Sequence, residues 1–260
     1  MRKLTMAVLS AAALAGALLG AAPAGAVADG VAATPWMFPF SVKLTMTNIP
    51  KPDGTTYNSA CSAGLVSPDW IITAGHCFHD VNRNPVSGPA PYATTATLGK
   101  ADLSDKGGEV VDVVEVRQAG TNDIALARLA HPVYGLPVLD LADSAPTVGE
   151  ELVLAGWGAT SSVNPTPSTR LYYGKVAVGS VAATTTGVHG VWPSADTSAC
   201  LYDSGAPYFT TDGTLVGVES DGPDCPHTTE ETTSRVDVVA GWIDRQLGKF
   251  DHASIKHSSI

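Results

Sequence analysis

Positive charge is short in this chain. Lys and Arg number 15 against 25 Asp and Glu, and the formal net charge at pH 7 is −10. Such a surface repels a phosphate backbone, which argues against a nucleic-acid partner; its ordinary consequence is solubility. Apolar runs are scarce after the opening stretch, and none downstream reaches the length of a membrane-spanning helix. Two catalytic signatures are missing. Gly-x-Ser-x-Gly occurs nowhere, which removes the α/β-hydrolase arrangement of an elbow serine followed by an acid and then a His. His-Glu-x-x-His is absent too, which removes the zinc hydrolases that carry it. No Asp/Asn/Glu loop resembles an EF-hand, and neither a metal nor a cofactor is expected. Helical periodicity and internal repeats are likewise wanting.

What the chain does carry begins with an export signal. Arg2 and Lys3 supply the positive start, the stretch from Leu4 to Gly20 is mostly apolar, and Ala24-Gly25-Ala26 is a small-residue cleavage site. Residues 1–26 are therefore expected to be removed, giving a secreted, extracellular protein with no membrane attachment after cleavage. The remainder is two charges more negative, and its length fits one large β domain. Four cysteines in an exported chain imply two disulfides, for which three pairings exist. Loops the size of 61–77 or 200–225 are worth ~3 kcal/mol each when closed.

Short runs rich in Val, Leu, Ile and Thr recur between turn signals, the pattern of an all-β sandwich or barrel. They cover 40–47, 63–66, 70–74, 110–116, 151–155, 171–178 and 214–219. Pro52-Asp53-Gly54 is a turn between the first two of them. Segments 82–91 and 161–168 read as loops. Val236, Val239, Ala240, Ile243 and Leu247 are spaced as one amphipathic helix over 236–247, and residues 249–260 form a polar tail.

Three strings carry the chemistry: Thr73-Ala74-Gly75-His76-Cys77, Asn122-Asp123-Ile124-Ala125-Leu126 and Tyr202-Asp203-Ser204-Gly205-Ala206-Pro207. Each alone is weak. His76 is one of seven histidines with His79 close by, and Asp123 or Ser204 alone could be a loop residue. Together they supply, in order, a base, a carboxylate to orient it and a hydroxyl nucleophile. With Gly156-Trp157-Gly158 they make the chain resemble the trypsin/chymotrypsin family of serine endopeptidases from Val27 to about Ile243, its secreted bacterial trypsin-like members above all. The resemblance implies two six-stranded antiparallel β-barrels within 27–248, divided near 135–150, with a C-terminal α-helix. It pairs Cys61 with Cys77 and Cys200 with Cys225. It makes His76, Asp123 and Ser204 the catalytic residues, assigns the oxyanion hole to the N–H groups of Tyr202 and Ser204, and places Ser220 beside the aspartate. It implies protein or peptide substrates, protein protease inhibitors as partners, and a monomer.

Three further readings follow from that likeness. Val27-Ala28-Asp29-Gly30 stands where the family has its freed Ile-Val-Gly-Gly terminus, so cleavage after Ala26 would itself expose a Val27 amine to pair with Asp203. Ser198, Glu219, Ser220, Gly222 and Glu231 fall on substrate-binding positions. Ser198 at the pocket floor withholds the strongest mark of basic specificity, whereas Glu219 and Glu231 favour a basic or broad choice at P1, the residue before the scissile bond. Tyr202 replaces the family's oxyanion-hole glycine, and Asp221 its usual Trp. A side chain at 202 could flip the peptide or narrow the cleft, which keeps a catalytically impaired binding protein of this fold as the alternative.

Overall fold

The computed structural model describes residues 26–248. The expected signal segment up to residue 25 and the tail from 249 lie outside them. The strands in chain order are β1 (Val31–Ala32), β2 (Ser41–Pro50), β3 (Thr56–Ser67), β4 (Trp70–Thr73), β5 (Gly88–Pro89), β6 (Ala93–Leu98), β7 (Glu109–Gln118) and β8 (Ala125–Leu129). They continue with β9 (Asp140–Leu141), β10 (Glu151–Gly156), β11 (Tyr172–Val181), β12 (Thr185–Trp192), β13 (Pro207–Phe209), β14 (Thr214–Asp221) and β15 (Glu231–Arg235). A helix, α1 (Ala240–Gln246), follows.

Two six-stranded antiparallel barrels result. The first runs β7-β6-β2-β3-β4-β8 and closes where β8 returns to β7. The second runs β11-β10-β13-β14-β15-β12 and closes through β12 and β11. The short β1, β5 and β9 sit outside these circuits, and β9 alone pairs in parallel, with β14. Closure leaves the long strands of each barrel without open edges. Alternation along β11 shows the mechanism: Tyr172, Gly174, Val176 and Val178 are buried, and the residues between them are half-buried.

One apolar core fills the first barrel with Val42, Leu44, Leu65, Leu98 and Leu126, and continues into Trp157, Phe209 and Val218 of the second half. Another, around Leu152, Leu154, Val176 and Val188, fills the second barrel. Aromatic edges lock the halves together: the Phe40 and Phe209 rings lie 5.0 Å apart at 89°, and Phe38 lies 5.2 Å from Tyr173.

The helix is shorter than its periodicity suggests. Val236 donates its N–H to Val216 O at 3.0 Å, which extends the sheet, and Arg235 pairs with Asp237 at 2.5 Å. Residues 236–239 therefore turn, and helix begins only at Ala240. Val236, Val239 and Ile243 still bury against the core, and Arg117 of β7 reaches Gln246 at 2.9 Å. Among the described residues no helix is long and apolar enough to cross a membrane.

Candidate active site

His76 sits in a single 3-10 turn, Gly75–Cys77, just after β4. The Cys61–Cys77 disulfide ties that turn to β3, and Gln118 donates to Gly75 O at 2.9 Å. Asp123 sits on the loop before β8, anchored to the second barrel by Asn122 Nδ2 donating to Arg235 O at 2.8 Å. Its carboxylate is held from three directions. Oδ1 accepts the His76 backbone N–H at 2.7 Å. Oδ2 lies 2.7 Å from His76 Nδ1 and accepts the Ser220 hydroxyl at 2.8 Å. Burial works to raise its pKa, but the bonds from His76 and Ser220 outweigh that and hold it below the ordinary carboxylate range. A carboxylate on Nδ1 fixes the imidazole with Nε2 toward the cleft.

His79, the neighbouring histidine, is engaged otherwise. Its Nδ1 lies 2.6 Å from Asp80 O and its Nε2 3.0 Å from Arg83 Nη1, with no carboxylate behind it.

Ser204 stands on the loop between β12 and β13. Its carbonyl accepts Ser62 N–H at 2.9 Å, and the following Gly205 donates to Glu219 O at 2.8 Å. Gly205 has φ +85, and a Cβ there would run into Thr73 Oγ1 and Ser62 O, so glycine is required beside Ser204. Cys200–Cys225 braces the same loop. Ser204 and His76 line one cavity of about 280 Å³ together with Glu219, Ser220 and Gly222, but make no hydrogen bond to each other. Catalytic contacts of this kind are often long before substrate binds. Ser204 and His76 also line a second cavity of about 220 Å³, walled by Tyr57, His79, Arg83 and Tyr202.

Tyr202 adopts φ +75, the left-handed backbone natural to glycine. Its carbonyl accepts the Ser62 hydroxyl at 3.3 Å. Among the described residues, neither the Tyr202 nor the Ser204 backbone N–H donates to a protein acceptor.

Asp203 is fully buried. It accepts N–H groups from Gly158 at 2.7 Å, Cys200 at 3.1 Å and Val27 at 3.3 Å. A Cβ on Gly156 or Gly158 would collide with its carboxylate, which explains both glycines of Gly-Trp-Gly. Burial pushes its pKa up to about 7, with the Glu231 charge adding to the rise, although the three N–H bonds oppose it. Lys43 is a buried cation that feels the Asp203 charge. It bonds Ser168 O, lies 5.7 Å over the Trp157 ring, and burial lowers its pKa to about 8 against the pull of Asp203.

The residues aligned with substrate binding divide. Glu219, Ser220 and Gly222 line the cavity. Ser198 is buried off its wall, bonded to Asp196 O and His227 N–H at 3.3 Å each. Glu231 is also buried, behind Ala199, whose N–H it accepts at 2.8 Å. Between Glu219 and Glu231 stands Tyr208, which sequence reasoning missed. Four residues after Ser204 in an apolar stretch, it reads as core, and only the register of β13 on β14 brings its hydroxyl to both acids. Among the described residues no cluster of His, Cys, Asp or Glu has metal-holding geometry.

Comparison with known proteins places this arrangement. The chain is 29% identical over 115 residues to glandular kallikrein-10 of Rattus norvegicus, covering 40% of this chain and 44% of that protein, so it spans under half of the kallikrein's length. It is 26% identical over 251 residues to brachyurin of Leptuca pugilator, covering 85% and 99%. These relatives are animal proteins and lend nothing to the expected likeness with bacterial members. Among solved structures, HL collagenase matches in fold with a TM-score of 0.68 at 24% identity, over 85% of this chain and 99% of that one. The Trypsin family model matches residues 27–243, which takes in both barrels and all three strings, and the chain belongs to that family of serine proteases.

Proposed function

We propose that this chain is a secreted serine endopeptidase that cleaves peptide bonds through His76, Asp123 and Ser204. The observation that carries the reading is the Asp123 carboxylate, bonded to His76 Nδ1 at 2.7 Å and to Ser220 at 2.8 Å, with His76 and Ser204 on one cavity. Ionised Asp123 stabilises the imidazolium that forms when His76 takes the Ser204 proton. The Ser204 oxygen attacks the peptide carbonyl, and the free N–H groups of Tyr202 and Ser204 receive the developing oxyanion. His76 then protonates the leaving amine, and water repeats the cycle on the acyl-enzyme. The backbone of Ser220 to Gly222 would pair with the substrate strand. Glu219, on the cavity wall, favours a basic or broad P1 choice through charge-assisted hydrogen bonds, with Glu231 behind it adding negative charge. Signal peptidase, cutting after Ala26, would free the Val27 amine for Asp203.

A second reading, a catalytically impaired binding protein of this fold, is favoured by one observation: a residue with a side chain holds the left-handed backbone at 202. Labelling with a fluorophosphonate separates the two. Wild type is expected to label and Ser204→Ala is not. A folded, processed wild type that fails to label would overturn the peptidase reading.

A further inference from the structure

The proton count at the cavity floor does not close with two ionised acids. The Tyr208 hydroxyl lies 2.7 Å from Glu219 Oε2 and 2.6 Å from Glu231 Oε1. A phenol has one proton to donate. It satisfies one carboxylate, and a second ionised carboxylate would face the phenol lone pair across an equally short gap. The contact becomes attractive when that second carboxyl is protonated and donates to the Tyr208 oxygen. All three groups are buried, with Glu219 4% exposed, Glu231 1% and Tyr208 0%, so two unpaired negative charges there would be costly.

The remaining contacts assign the proton. Glu231 Oε2 accepts the Ala199 N–H at 2.8 Å and lies 3.5 Å from His227 Nε2, so Glu231 carries the charge. Glu219 Oε1 has no hydrogen-bond partner among the described residues, and Glu219 lines the cavity. The other groups facing the pair are Asp203 from the loop that carries Ser204, Asp221 and Asp224 on the cavity wall, all acidic, and His76 on that same wall. Burial first, then Glu231, pushes Glu219 well above the usual carboxylate range, while the nearby Glu231 carboxylate raises His227.

We propose that Glu219, Tyr208 and Glu231 form a one-proton carboxyl pair that recognises a basic P1 side chain by releasing that proton. In the free protein Glu219 donates to Tyr208 and Tyr208 donates to Glu231. When a cation enters, Glu219 gives its proton to solvent and pairs with the cation as a carboxylate. Tyr208 keeps its own proton and its bond to Glu231, and no covalent bond to carbon changes. A neutral side chain releases nothing. Cation affinity therefore rises about tenfold per pH unit while the pair still holds its proton, by ordinary proton linkage. The inference rests on the peptidase reading for its substrate, not for its proton count.

Calorimetry with benzamidine as the cation and benzyl alcohol as its neutral counterpart tests it, in two buffers of different ionisation enthalpy between about pH 5 and pH 7. The wild type is expected to release close to one proton on binding benzamidine, with affinity rising about tenfold per pH unit, and none with benzyl alcohol. Glu219→Gln, which leaves His227 and Glu231 in place, is expected to abolish the release and weaken benzamidine at least about tenfold, the loss of one charge-assisted contact. Benzamidine that fails to bind the wild type, binds it without proton release, or still releases a proton from Glu219→Gln would overturn the proposal. Absent fluorophosphonate labelling beside intact proton release would instead remove only the peptidase reading.

Discussion

Tyr202 is where single-residue physics bears hardest on activity. A left-handed backbone costs a residue with a Cβ about 1–2 kcal/mol, yet Tyr202 holds φ +75 while Ser62 bonds its carbonyl. The surroundings thus impose the glycine-like geometry, and the Tyr202 N–H is left without a protein acceptor. Tyr202→Gly is therefore expected to change kcat by less than about threefold, because Tyr202 already holds the backbone geometry a glycine would adopt, and to raise stability by up to about 1 kcal/mol. Ester hydrolysis and denaturant unfolding would measure the two. A rise in kcat of ~10²-fold would mean instead that the wild-type donor misses the oxyanion. The strings that carry His76, Asp123 and Ser204 stand out in the sequence because their frames are local, with glycine or cysteine beside His76 and Ser204 and an apolar run after Asp123. Tyr208 and Lys43 were not legible. Their roles arise from neighbours across the sheet, and nothing within a few residues of either announces a buried phenol between acids or a buried ammonium beside Trp157.

At the scale of elements, legibility followed composition. The Val- and Ile-rich runs in β2, β3, β4, β7, β10, β11 and β14 were all visible as strands. Five barrel strands were missed: Ala-Leu-Ala-Arg-Leu in β8 lacks β-branched residues, β12 contains Gly187 and Gly190, Glu-Thr-Thr-Ser-Arg in β15 is polar, β13 is three residues long, and β6, Ala-Thr-Thr-Ala-Thr-Leu, carries only small residues before its last. Closure of a barrel recruits them, since β8 pairs with both β4 and β7 and β15 with both β12 and β14. The helix was visible but overlong, because Val236 is claimed by the sheet. Its hold on the first barrel rests on Ile243, fully buried, more than on the polar Arg117–Gln246 contact. Ile243→Ala should cost about 2–5 kcal/mol in chemical unfolding. Gln246→Ala should cost under about 1 kcal/mol, as a part-exposed polar contact does. Equal losses would show that the helix is held by its polar end.

For the whole molecule, the proposed cut after Ala26 would couple processing to stability, since Val27 N–H bonds Asp203 on the loop that carries Ser204. With Ala26 still attached, Val27 offers only an amide N–H at 3.3 Å, and its φ of +58 is a strained value for a β-branched residue. Asp203 then titrates at about 7 in the folded chain against an ordinary 3.8. The unfolded chain loses its Asp203 proton first, so the folded state is progressively disfavoured as pH rises from about 4 to about 7. At 1.36 kcal/mol per pKa unit that loss is on the order of 4 kcal/mol. Cutting after Ala26 removes the constraint on φ and supplies an ammonium. Asp203 is then expected to stay ionised at neutral pH, which removes the penalty. The amine takes over the pH dependence: its pKa, near 8 when unpaired, rises on pairing, so its contribution is full below about 8 and fades as pH climbs through the raised value. Thermal midpoints measured across pH for chains beginning at Ala26 and at Val27 should therefore diverge. The longer chain should weaken from about pH 4 to 7 and the shorter one only in alkali, where its activity should fade as well. Superimposable profiles would show that Val27 and Asp203 do not form an ion pair.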